Sequence, residues 1–117
     1  SDTVTASAEK KGPALENQGE IDALRKLIAM DEGDSDAWDK LGKSLFLAGQ
    51  YDEAVDCFRK SLAIKPDVVE VLANLGVALK TKGDKAFYEE VAQKLGSLDP
   101  KMGEDLKKFE PPTAAKP

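Results

Sequence analysis

From Ile21 to Phe109, apolar residues recur every three or four positions, with charged and small polar residues between them. That spacing puts the apolar side chains on one face of a 3.6-residue helix, so it predicts a run of amphipathic helices and no strand. Ile21, Leu24, Leu27 and Ile28, with Ala23, predict a helix ending near Met30, before the loop Asp31-Glu32-Gly33-Asp34. Ala37, Trp38, Leu41, Leu45 and Ala48 predict a second. Asp34 or Ser35 is its expected N-cap, and Asp36 lies in its first turn, where the helix dipole favours negative charge. Gly49 is the expected left-handed residue at its end, with the turn at Gln50. A third helix carries Ala54, Val55, Phe58, Ser61, Leu62 and Ile64 and stops before Pro66. The fourth is expected to be capped by Asp67, with Glu70 at capping-box spacing, and to bury Val71, Leu72, Leu75, Val77, Ala78 and Leu79. After a turn at Gly83-Asp84, a fifth carries Ala86, Phe87, Val91, Ala92, Leu95 and Leu98. Asp99-Pro100 then reads as an N-cap and a first-turn proline, opening a last helix with Met102, Leu106 and Phe109 on one face, stopped by Pro111-Pro112.

The middle of the chain repeats itself. Leu41 and Leu75, Gly42 and Gly76, Leu45 and Leu79, Gly49 and Gly83, and Pro66 and Pro100 are each 34 residues apart. A fixed period of this length signals stacked supersecondary units, each burying one face on its neighbour. The expected organisation is a tail at 1–13, a flanking helix and loop at 14–34, one unit at 35–68, a second at 69–102, a closing helix at 100–109 and a tail at 110–117. Residues 1–13 lack a periodic apolar set and 110–117 hold three prolines, so both are expected to be flexible.

Between Trp38 and Pro66 the chain reads WDKLGKSLFLAGQYDEAVDCFRKSLAIKP. Trp38, Leu41, Gly42, Gly49, Tyr51, Ala54, Phe58 and Pro66 stand at the spacings of the tetratricopeptide repeat, which this segment resembles. The second unit is similar at Leu75, Gly76, Leu79, Gly83, Ala92 and Pro100, but has Leu72 for the Trp, Lys85 for the Tyr, and Tyr88 at a site that is normally small. The resemblance implies an all-α, short right-handed solenoid of antiparallel helix pairs, with a concave groove that binds peptides or proteins. The function it implies is that of a scaffold or adaptor. A self-assembling module, or the regulatory or targeting domain of a larger enzyme, is the alternative.

Composition narrows the chemistry. With no His among 117 residues, neither a histidine-based catalytic triad nor a histidine-ligated metal can form within the chain. A lone Cys57 excludes an internal disulfide, and no DxDxDG or HExxH motif is present. No catalytic residue, cofactor or metal is therefore expected, and the chain reads as a non-enzyme. Net charge is −5 without a dense basic run, which argues against nucleic acid as a partner. No apolar stretch is long enough to span a membrane, so a soluble chain without direct membrane insertion is expected. The residues do not name its compartment, with cytoplasm favoured over periplasm, and a monomer or weak homo-oligomer is expected. Trp38 and Phe58 are expected in the core, Cys57 in a packing role, and Asp52-Glu53 and Glu89-Glu90 on solvated faces.

That leaves the inner face of the first helix in each pair. Opposite the core stripe, the first contributes Asp36, Asp39, Lys40, Lys43, Phe46 and Leu47, and the next Glu70, Ala73, Asn74, Val77, Lys80 and Thr81. The expected partner-binding residues are Lys40, Lys43, Phe46, Leu47, Asn74, Val77, Lys80 and Thr81. Their ammonium groups favour a carboxylate-bearing segment and their apolar members a neighbouring apolar side chain. Similar repeats that grip terminal carboxylates use Lys and Asn on these helices. Asn74 matches that pattern, whereas Asp39, Lys43 and Glu104 depart from it.

Overall fold

A computed structural model describes residues 17–112. The expected tail at 1–13 and the last part of the one at 110–117 lie outside the described residues. Six helices and no strand are found among them: α1 (Gln18–Met30), α2 (Ser35–Leu47), α3 (Tyr51–Ile64), α4 (Val69–Lys82), α5 (Lys85–Leu98) and α6 (Pro100–Lys108). Consecutive helices pack on each other, α2 with α3 most extensively, and α6 touches both α5 and α4. The result is an all-α stack of helix pairs, as the spacing predicts.

Local chemistry sets several helix ends. Asp34 accepts from the Ala37 N–H, Asp84 from Phe87 and Asp99 from Met102, with Pro100 opening α6. Gly49 and Gly83 carry φ of 82° and 85°, where a Cβ is strained. Behind Gly49, the Gln50 N–H bonds the Leu45 carbonyl and the Gly49 N–H that of Phe46, closing the end of α2. Asp84 bonds Leu79 in the same way behind Gly83.

Asp67 does not cap α4, contrary to expectation. The helix starts at Val69 with Val68 as a cap that makes no side-chain bond, so Asp67 stands one residue too early. Its carboxylate pairs with Lys94 at 3.3 Å instead. Ser35 is likewise not the cap of α2 but its first residue, and its carbonyl accepts from Ser61 Oγ at 2.9 Å. Because Ser61 lies late in α3 and Ser35 opens α2, that bond also fixes the two helices as antiparallel. The last helix ends at Lys108, leaving Phe109 as an extended, half-buried cap.

The core runs along the stack from Ile21, Leu24 and Ile28 through Leu41, Leu45, Phe58, Leu75 and Leu79 to Leu95 and Leu106. Gly42 lets α2 and α3 approach: a Cβ there would stand 2.6 Å from Phe58 Cε1. The second pair reverses the sizes. Ala92 occupies the place of Phe58 one period later, and Leu106 of α6 packs against Gly76 instead, 2.5 Å from where a Cβ would sit. The closing helix thus supplies the bulk that α5 lacks. It also breaks the period: 31–34 and 65–68 connect the earlier helices, whereas Asp99 alone joins α5 to α6.

Some residues expected inside are not. Leu27 is 50% exposed, although Ser61 and Leu95, one and two periods later, are buried. In α3 that position faces the first helix of the same pair, where Ser61 bonds Ser35, and α1 lacks such a helix among the described residues. Ile64 and Leu98 are the last residues of α3 and α5 and are only part-covered, 38% and 44% exposed, and Ala86 in the first turn of α5 is exposed. Trp38 is half-buried because its indole N–H reaches out to the Glu32 carbonyl at 2.9 Å, with the Lys60 ammonium 4.8 Å from its ring centroid.

Cys57 is buried between α3 and its neighbours, and desolvation, helped by Glu53 and Asp56, pushes its thiol up to about 11. A raised thiol pKa means the folded chain holds the proton where the unfolded chain releases it. The stabilisation is therefore complete below about pH 9 and is lost as pH climbs through 11. Wild type should lose stability relative to Cys57→Ala between those values in denaturant titrations. Iodoacetamide at pH 8 should label Cys57 slowly until the chain is unfolded.

Candidate functional site

The first helices of the two pairs, α2 and α4, run in the same direction one period apart. Between them lies an apolar cleft of about 220 Å³, lined by Lys43, Phe46, Leu47, Asn74 and Val77 over a floor made by Phe58. Five of the eight residues expected to meet a partner come together here. Each is placed by helix spacing: Lys43, Phe46 and Leu47 lie within the last two turns of α2, and Asn74 and Val77 lie three residues apart on α4. Phe46 is steadied by Tyr51, whose ring centroid lies 5.1 Å away at a 44° tilt. Leu47 is 65% exposed, an apolar side chain held in water by a rigid scaffold. Phe58 is the member that sequence reasoning missed, since its core register concealed that its ring also closes the cleft floor.

Lys40, Lys80 and Thr81 are not in the cleft. Lys40 bonds Asp36 at 3.1 Å along its own helix, and that bond raises its pKa. The Lys80 ammonium donates to the carbonyls of Leu106, Lys107 and Phe109 at 2.9, 2.8 and 2.7 Å. It therefore caps the free carbonyl end of α6, where the dipole favours a cation. Tyr88 lies beside it, its ring centroid 5.3 Å from Nζ. Thr81 turns its hydroxyl back to the Val77 carbonyl at 2.7 Å. Replacing Lys80 with Met keeps most of the stem but removes three charge-assisted donors. We expect a loss of about 1 kcal/mol, with faster hydrogen exchange confined to α6, in exchange followed by mass spectrometry.

Inside the cleft wall, Asp39 is nearly buried and both of its oxygens are taken. Asn74 Nδ2 donates to Oδ1 at 3.1 Å, and Lys43 Nζ stands 3.7 Å from Oδ2. Among the described residues no buried side-chain nitrogen or oxygen lacks a partner. The two expected ammonium groups do not stand together in the cleft. Lys40 is elsewhere, and Lys43 already faces a carboxylate of its own chain. Asp36, Glu70 and Ala73 are not part of the cleft lining.

A larger, open cleft of about 570 Å³ lies between α5 and α6 and is lined by Glu89, Glu90, Gln93, Gly96, Glu104 and Lys107, among others. Its carboxylates are solvent-exposed, as expected for Glu89 and Glu90. Among the described residues no group of three His, Cys, Asp or Glu is placed to hold a metal ion, and no helix is long and apolar enough to cross a membrane.

Comparison with known proteins agrees with this architecture. The family model described as a TPR repeat matches residues 42–83. The peroxisomal targeting signal receptor of Candida albicans is 35% identical over 75 residues, covering 64% of this chain and 12% of the receptor. That of Kluyveromyces lactis is 32% identical over 75 residues, covering 64% of this chain and 13% of the receptor. This chain thus spans about an eighth of the length of the curated relatives it matches. A crystal structure of MamA protein superposes with a TM-score of 0.66 at 29% identity, over 81% of this chain and 50% of that one. A second MamA structure gives 0.61 at 28%, over 80% and 53%.

Proposed function

We propose that this chain, which is built of tetratricopeptide repeats, works as a protein–protein interaction module that seats a segment of its partner in the cleft between α2 and α4. One observation carries the reading. Leu47, Phe46 and Val77 converge from two successive repeats around an apolar hollow, with their backbones fixed by a packed core. Burying such side chains against a partner is favourable at about 25 cal/mol per Å² of apolar surface. Because the helices are already ordered, little of that gain is lost in ordering the receptor. The names of the relatives, receptors for a targeting signal, support recognition of a short segment. Repeat modules of this kind are non-catalytic, and the partner in this reading is another protein or peptide.

Val77→Arg tests it. The guanidinium fills the hollow from a half-exposed helix position, so melting should change little. Proteins captured from the source cells by the wild type, and identified by mass spectrometry, should be lost by Val77→Arg and kept by Glu89→Arg, which alters the α5–α6 cleft. The opposite pattern would move the working surface to α5 and α6.

A further inference from the structure

The arrangement around Asp39 bears on what the cleft accepts, and the step rests on the cleft being the working surface. An incoming carboxylate would seek the Lys43 ammonium and the Asn74 amide, the two polar donors of the lining. Both already serve Asp39, one on each oxygen, at 3.7 and 3.1 Å. The Asp39 side chain is only 12% exposed, so water replaces poorly a donor taken away from it. Surrendering either donor would leave a buried, poorly paired charge, which is costly. The incoming anion would also approach a fixed like charge. An uncharged apolar side chain meets neither obstacle, and finds Phe46, Leu47, Val77 and the Phe58 floor.

We propose that Asp39 is a built-in stand-in for a ligand carboxylate, and that by occupying Lys43 and Asn74 it sets the cleft for a partner segment anchored by an uncharged apolar side chain. Asp39 is then a specificity-determining residue: it selects against acidic segments and chain-terminal carboxylates. It does so from the cleft wall, without contributing to the apolar contact itself.

Two small probes that share one side chain separate the possibilities: N-acetyl-L-leucinamide, which is uncharged, and N-acetyl-L-leucine, which carries a carboxylate at neutral pH. Titrated into the ¹⁵N-labelled chain, the amide should shift the backbone signals of Leu47, Asn74 and Val77. The carboxylate should bind about fivefold more weakly, the factor that two like charges 4 Å apart in water give. Asp39→Asn removes the charge but keeps an acceptor for Asn74, and should bring the two affinities together. Asp39→Ala releases both donors and should reverse the order. The same preference in wild type and both variants would overturn the role of Asp39, as would tighter binding of the carboxylate by the wild type. A wild-type chain whose cleft signals respond to neither probe would overturn the cleft itself as the working surface. So would Val77→Arg binding both probes unchanged.

Discussion

Phe58→Ala should destabilise the chain by about 3–5 kcal/mol, the range for deleting a buried aromatic ring. A domain of ordinary stability has only about 5–15 kcal/mol in total, so most of the margin would go. Phe58 is 1% exposed and lies across Gly42, with Cε1, Cδ1 and Cζ all within 3.0 Å of where a Cβ would stand. Neither Gly42 nor Ala54 can fill the space left by the ring, so a cavity persists between α2 and α3. The cleft floor would disappear with it. Urea titration followed by circular dichroism at 222 nm reads the loss directly. The same contact makes a second test possible. Gly42→Ala alone should cost about 1–3 kcal/mol by overpacking, and much of that should be recovered when Phe58→Leu is added. Additive effects in that cycle would mean the glycine is not there to admit the ring.

Much of this fold is legible because it is written locally. The three-to-four-residue apolar spacing, the glycines that end α2 and α4, and the Asp34 and Asp99 caps depend on residues within one or two turns of each other. The same locality places Lys43, Phe46 and Leu47 on one side of α2 and Asn74 with Val77 on α4. What the pattern does not carry is who pairs with whom across the stack. Lys80 finds its carbonyls 26 to 29 residues away, and Asn74 finds Asp39 at a separation of 35. Helical periodicity puts all three side chains on an inner face, yet only packing shows that all of them are already engaged. A polar residue on a groove face is an offer to a partner only when its own chain has left it free. Asp67 fails as a cap for a different reason: capping depends on the start of a helix to a single residue, and periodicity locates an end only to within a few.

Of the two glycines where α5 crosses α6, only one should prove indispensable. A Cβ at Gly103 would stand 2.7 Å from Gly96 Cα and 3.2 Å from its nitrogen, both backbone atoms that cannot rotate aside. A Cβ at Gly96 meets nothing within 4 Å. Alanine favours a helix over glycine by about 0.5–1 kcal/mol, so Gly96→Ala should be neutral or slightly stabilising. Gly103→Ala gains the same propensity but must push α6 off α5. That shift would draw Leu106 away from Gly76 and the carbonyls of Leu106, Lys107 and Phe109 away from Lys80. Overpacking and a displaced core leucine together should outweigh the propensity, for a net cost of about 2 kcal/mol. In a domain this size that corresponds to a fall of roughly 10 °C in Tm. With α6 displaced, Leu95 and Gly76 become accessible at the open end of the stack, and heated Gly103→Ala should aggregate where Gly96→Ala does not. Equal Tm values for the two variants would mean that the closing helix is not held by this crossing. The fit of Leu106 against Gly76 and the Lys80 bonds to its last carbonyls would then have to hold it.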